Sequence, residues 1–153
     1  MKTTAGKVNK MDMHFVPFQS VGLFKLGDNA DSYTDILQKY EMEKDEDGSI
    51  FYLLKDDEQY LEHMIEVRDG VIYTVFCYSS LLYKGVNLIG LTVEEFQSIT
   101  NATYVGKPDE VDIFDDEPPK YIYSFDSIGA NVWTHYGYIV DIIVAGLYSY
   151  EDD

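Results

Sequence analysis

The side chains in this chain that could do chemistry are mostly carboxylates. Asp109, Glu110, Asp112, Asp115, Asp116 and Glu117 gather just ahead of Pro118 and Pro119. Three readings of that cluster stand. It is a solvated acidic loop, or a site for a basic partner in which carboxylates imitate a phosphate backbone, or a weak site for a hard cation that prefers oxygen ligands. The spacing specifies no cage, so no metal is assigned. A second acidic run, Glu43, Asp45, Asp47, Gly48 and Ile50, matches the early positions of an EF-hand loop. Leu54 stands where that loop needs a bidentate glutamate, and the residues after it read as strand rather than helix. An acidic turn reversing at Asp47-Gly48 is the better account.

Other reactive types are sparse. His14, His63 and His135 have no zinc spacing and no cysteine company. Ser79-Ser80 lacks the flanking glycines of a nucleophile elbow. No phosphate-binding loop or dinucleotide fingerprint occurs. No cofactor is expected, and the chain is not expected to be an enzyme. Aromatic residues are plentiful, with fourteen tyrosines and one tryptophan. In KYIYSFD, Tyr121, Tyr123 and Phe125 share one side of a strand; in ANVWTHY, Asn131, Trp133 and His135 do so. Trp133, with polar neighbours on its own side, reads as an interface anchor, and Tyr33 and Phe96 read as core. The candidate partner-binding residues are therefore the six carboxylates together with Tyr121, Tyr123, Trp133 and His135.

The elements that would position them read as follows. Asn29 caps a helix through about Tyr40, on which Tyr33, Ile36, Leu37 and Tyr40 fall at i, i+3, i+4 and i+7. EKDEDGS is a turn, and SIFYLLK, LEHMIEV and VIYTVFCY are strands, the last two joined by a tight turn at Asp69-Gly70. Thr92-Val93-Glu94-Glu95 is a capping box that opens a second helix, with Phe96 and Ile99 on its buried side. The long stretch from Tyr104 to Lys120 reads as irregular, and three further strands run to Tyr150, with Tyr136-Gly137 as a turn.

The order occurs twice. GLFKLGDNADSYTDIL from Gly22 aligns with GVNLIGLTVEEFQSI from Gly85, pairing Gly27 with Gly90 and Ile36 with Ile99. DGVIYTVFCY aligns with YGYIVDIIVA. The expected fold class is α+β: two tandem copies of a helix plus antiparallel β-meander, forming one curved sheet with both helices on one face. Residues 1–13 are expected to be a flexible tail. Residues 14–153 are expected to form one domain of two repeats, about 14–84 and 85–150.

The net charge of −17, from 28 acidic and 11 basic residues, argues against nucleic acid and anionic membrane as partners; it either serves solubility alone or attracts a basic protein. Cys77 is the only cysteine, so no intramolecular disulfide forms, and its hydrophobic neighbours make it a core residue. No hydrophobic run approaches the ~18 residues of a membrane span, and the N-terminus lacks the apolar stretch of a signal peptide. A cytoplasmic location is expected.

SVGLFKLG, YKGVNLIGLTVEEF and the acidic loop ahead of a strand-rich end resemble the small bacterial immunity proteins that accompany polymorphic toxins of the contact-dependent inhibition and Rhs kinds. The resemblance spans most of the chain after Met13. It implies a cytosolic protein that binds and neutralises one cognate toxin domain. Many such toxins are nucleases with a basic groove that an acidic, aromatic-bearing protein could occupy. The alternative is a non-enzymatic structural or assembly module that pairs with another protein through an exposed sheet face. The oligomeric state is open.

Overall fold

Alternating apolar residues in the middle of the chain produce long antiparallel strands, and these dominate the structure. The computed structural model describes residues 12–113 and 115–146. The expected tail to residue 11, the run of the last strand to Tyr150 and the acidic end Glu151-Asp152-Asp153 lie outside the described residues. Met13, placed in that tail by the sequence, is buried, and its carbonyl accepts a hydrogen bond from Leu82 N–H at 2.8 Å.

Three short strands open the chain: β1 (Phe15–Val16), β2 (Ser20–Val21) and β3 (Phe24–Lys25). A one-turn helix, α1 (Thr34–Leu37), leads into β4 (Glu41–Lys44), β5 (Ile50–Lys55), β6 (Leu61–Arg68) and β7 (Val71–Cys77). A small hairpin, β8 (Leu82–Tyr83) and β9 (Val86–Asn87), precedes α2 (Val93–Thr100). Then come β10 (Asp109–Val111), β11 (Lys120–Phe125), β12 (Ala130–His135) and β13 (Tyr138–Ala145). One eight-stranded antiparallel sheet has the order β10-β11-β12-β13-β7-β6-β5-β4. It consists of two four-strand meanders meeting where β13 lies beside β7.

The expected α+β class is corrected by these proportions. Strand makes up 45% of the structure and helix 14%, with two short helices, so the protein is mostly β and its unit is not a helix-plus-meander repeat. The first expected helix is the main loss. Asn29 does cap, its side chain accepting from Asp31 N–H at 2.9 Å, but it opens a 3-10 turn over Ala30–Tyr33. Tyr33 then leaves helical geometry (φ −115°, ψ 15°), and only one α-turn follows. Asp, Ser, Tyr and Thr are weak helix formers, and here their side chains bond locally instead. Thr34 Oγ1–H donates to the Asp31 carbonyl at 2.9 Å, and the Tyr33 hydroxyl donates to the Asp28 carboxylate at 2.9 Å. Tyr33 is accordingly half-buried, its ring packed on Phe24 at 5.4 Å with its polar end held at the rim. Two strands also appear where turn and loop were expected, β4 and β10. Both are edge strands rich in charge.

Where sequence signals were strong the elements follow them. Thr92 Oγ1 accepts from Glu95 N–H at 3.2 Å, Glu95 Oε1 accepts from Thr92 N–H at 3.0 Å, and α2 ends on Asn101 in the left-handed conformation. The turns joining β6 to β7 and β12 to β13 each place two residues at positive φ: Asp69 (52°) with Gly70 (77°), and Tyr136 (54°) with Gly137 (83°). That backbone suits the twist of a two-residue hairpin. The stretches that match in sequence also make matching clamps. Gly27 N–H donates to the Ile72 carbonyl at 2.7 Å, and Gly90 N–H donates to the Ile139 carbonyl at 2.8 Å.

Among the described residues, most of the fully buried strand side chains fall on one side of the sheet. There Ile65, Ile72, Val75, Cys77, Ala130, Val132, Ile142 and Val144 are fully or almost fully buried with Phe24, Leu81, Leu88 and Phe96. Phe96 of α2 meets Phe125 of β11 at 4.6 Å. Val67, Thr74 and Glu66 are buried too, but strand register puts Glu66 and Thr74 on the opposite side. Among the described residues no helix is long and apolar enough to cross a membrane.

Candidate functional site

Strand register decides which of the expected site residues can act together. Tyr121 lies directly opposite Thr134, Tyr123 opposite Val132, and Ile122 opposite Trp133. Directly opposed residues in an antiparallel pair share a side of the sheet. Tyr121 and Tyr123 therefore point to the packed side, and Trp133 and His135 point to the other, open side. On β10 the same alternation divides the carboxylates. Glu110 sits opposite Tyr121 and Asp109 opposite Ile122.

The expected residues thus occupy three places. Asp112, Asp115 and Asp116 are exposed on the loop beyond the β10 edge, and Glu117 is half-buried as the loop turns into Pro118. Tyr121 (37% exposed) and Tyr123 line a groove of about 370 Å³ with Pro118, Pro119, Thr92 and Glu94 at the start of α2. The Tyr123 ring also packs edge-on against Tyr104 at 4.9 Å. His135 closes the loop onto the sheet, its Nε2–H donating to the Pro118 carbonyl at 3.2 Å, so its role is a tether rather than a free contact. Trp133 stands on the open side, half-buried, without such a tether.

That open side is the most distinctive surface of the molecule. Two rows cross it at right angles to the strands. One runs Asp109, Ile122, Trp133, Asp141, each opposite the next. Because Ile142 pairs with Cys77, the row continues from Asp141 to Tyr78 and then to Glu62, whose carbonyl accepts from Tyr78 N–H at 3.0 Å. The neighbouring row runs Asn131, Ile143, Phe76, Met64, Leu53, Glu41. Phe51 adds a ring 6.3 Å from Phe76. The centre is thus Trp133, Ile122, Ile143, Phe76, Met64 and Phe51, and carboxylates stand at both margins and at Asp141.

No match to this chain is found among protein-family models, curated proteins or solved structures. Function must be read from the surface itself.

Its electrostatics separate two carboxylates. Glu66 is 5% exposed and satisfied: Arg68 Nη2 donates to it at 2.7 Å, and the Arg68 guanidinium lies 4.2 Å from the Tyr73 ring centre. Asp141 is half-buried, and among the described residues its carboxylate has no hydrogen bond and no ion pair. Burial raises its pKa, and the charge of Lys120 offsets this only in part, from beyond ion-pair distance. The neighbouring Tyr78 hydroxyl is pushed up to about 12 by burial and by the Asp141 charge. Among the described residues no three His, Cys, Asp or Glu side chains converge on a metal position.

Sequence reasoning named Trp133 but missed Asp141, Tyr78, Phe76 and Met64. The signal was present: Asp141 interrupts the apolar run YIVDIIVA, and a charge inside such a run marks a strand side that is not core.

Proposed function

We propose that the chain is a non-enzymatic inhibitor of the immunity type, which neutralises a basic, nuclease-like toxin domain by covering it with the open side of the sheet. The observation that carries this reading is an apolar and aromatic centre bordered by carboxylates, on a chain of net charge −17. Aromatic anchors in a desolvated centre supply most of the binding energy of protein interfaces, and complementary charge supplies speed and selectivity. The acidic stretch from Asp109 to Glu117 borders the same side through Asp109 and would extend the negative field toward a basic groove. The protein would act in the cytoplasm of the producing cell, before its toxin can.

The test is rescue combined with titration. The C-terminal domain of the neighbouring gene product is expressed with and without this protein, and the purified pair is titrated by calorimetry. Relief of toxicity with nanomolar binding, lost in a Trp133→Ala, Phe76→Ala double variant that still folds, is expected. Absence of binding refutes the reading. A concentration-dependent dimer in sedimentation, broken by the same double variant, would instead favour an assembly module that pairs through this face.

A further inference from the structure

We propose that Asp141, between Trp133 and Tyr78, is the seat of an arginine side chain presented by the protein partner. The inference rests on the open side being the partner face. Its grounds are three. First, a carboxylate half-buried among Trp133, Ile143 and Tyr78 loses part of its hydration without gaining a partner among the described residues. Its oxygens are not sealed from solvent, so the loss is partial, and a cation seated there would offset it. Second, the position is walled by aromatic rings. Trp133 is opposite Asp141 on β12, and Tyr78 flanks it beyond β7, each one strand spacing away, about 5 Å. A planar guanidinium can stack on such rings while donating two parallel hydrogen bonds to the carboxylate, and an ammonium cannot.

Third, the sheet already holds a filled version of the same arrangement. Glu66, Tyr73 and Arg68 combine a buried carboxylate, an aromatic ring and a guanidinium, with the bond at 2.7 Å and the stacking at 4.2 Å. The trio at Asp141 repeats the carboxylate and the rings without the guanidinium. Lys120, whose charge acts on Asp141, stays outside ion-pair distance. The net charge of −17 favours a cation from a basic partner, and the aromatic residues that flank Asp141 in the strand register favour arginine.

Trp133 is the single tryptophan, so its emission reports the slot directly. The probe is an octa-arginine peptide at low salt, with octa-lysine as the comparison. Saturable change in Trp133 emission is expected, with octa-lysine weaker by about threefold or more. Asp141→Asn should weaken octa-arginine binding about tenfold and remove the emission change, whereas Asp112→Asn, an equal loss of charge, should weaken it less than about twofold. Thermal melting of Asp141→Asn should be unchanged or raised, which excludes misfolding as the cause. Equal effects of the two substitutions, or saturation with Trp133 emission unmoved, would overturn the slot. The two proposals fail separately. A toxin domain that binds wild type and Asp141→Asn alike removes the slot and leaves the inhibitor reading standing. Octa-arginine seated at Trp133 with no toxin binding does the reverse.

Discussion

Acidification from pH 7 to pH 4 should destabilise the protein through His63. Its ring is 4% exposed on the packed side of β6, with Leu54 of β5 and Cys77 of β7 opposite it. The Tyr40 hydroxyl and the His63 Nε2 share a hydrogen bond at 2.7 Å, and the two rings lie 5.5 Å apart. Each of these neighbours is uncharged at neutral pH; the Glu62 carboxylate acts on the Tyr40 hydroxyl, but burial is what governs the imidazole. Burial pushes the His63 pKa down from 6.5 to about 4. Between those values the unfolded chain takes up a proton that the folded protein refuses. Stability supplied by the neutral ring is complete above pH 6.5 and is lost as the pH falls toward 4. The linkage amounts to about 3 kcal/mol by pH 4. Many carboxylates titrate in the same window, so wild type is compared with His63→Gln, whose amide oxygen can still accept from Tyr40. Urea midpoints followed by Trp133 emission at pH 7, 6, 5 and 4 give the difference between the two proteins. That difference should change by most of 3 kcal/mol in favour of the glutamine variant as the pH drops. A difference constant to within about 0.5 kcal/mol would refute a buried neutral histidine.

Phe96→Ala, which empties the contact with Phe125, should cost about 3–5 kcal/mol in urea unfolding, while Phe76→Ala on the open side should cost less than half of that. Cys77, fully buried with its thiol pushed up to about 12, should react with an aromatic disulfide reagent at least about a hundredfold more slowly in the native protein than in urea. Association with a basic toxin domain, followed by stopped flow, should slow about tenfold or more between low and high salt with little change in dissociation, and a flat salt response would remove charge steering.

The strand β7, the turns at Gly70 and Gly137 and the cap at Thr92 were legible because each depends on neighbours in sequence. The helix expected from Asn29 to Tyr40 was not, because Tyr33, Ile36, Leu37 and Tyr40 fit a helix by spacing while Asp31, Ser32 and Thr34 compete for the backbone. Edge strands β4 and β10 were hidden for a related reason. Their residues are charged on both sides, as edges that discourage further pairing tend to be, so no alternation marks them. The site failed at a different level. Alternation within KYIYSFD and within ANVWTHY was read correctly, but the phase between the two strands is set by register, and a one-residue shift reverses every side chain. Tyr121 and Trp133 were therefore grouped as one site although they lie on opposite sides of the sheet.

The seam between β7 and β13 governs when the surface exists at all. Each meander closes through neighbours in the chain, whereas Val75 finds Val144 and Cys77 finds Ile142 only across the intervening α2 and a second set of strands. Contacts so distant in sequence close late and slow folding. Phe76 and Ile143 stand side by side on that seam, and the walls around Asp141 come from both meanders. A nascent or truncated chain that carries only the first meander therefore displays half of the apolar row and none of the Trp133–Asp141 pair. On the proposed reading, binding would need both meanders in place, and a fragment that carries one of them would not serve as a weaker inhibitor.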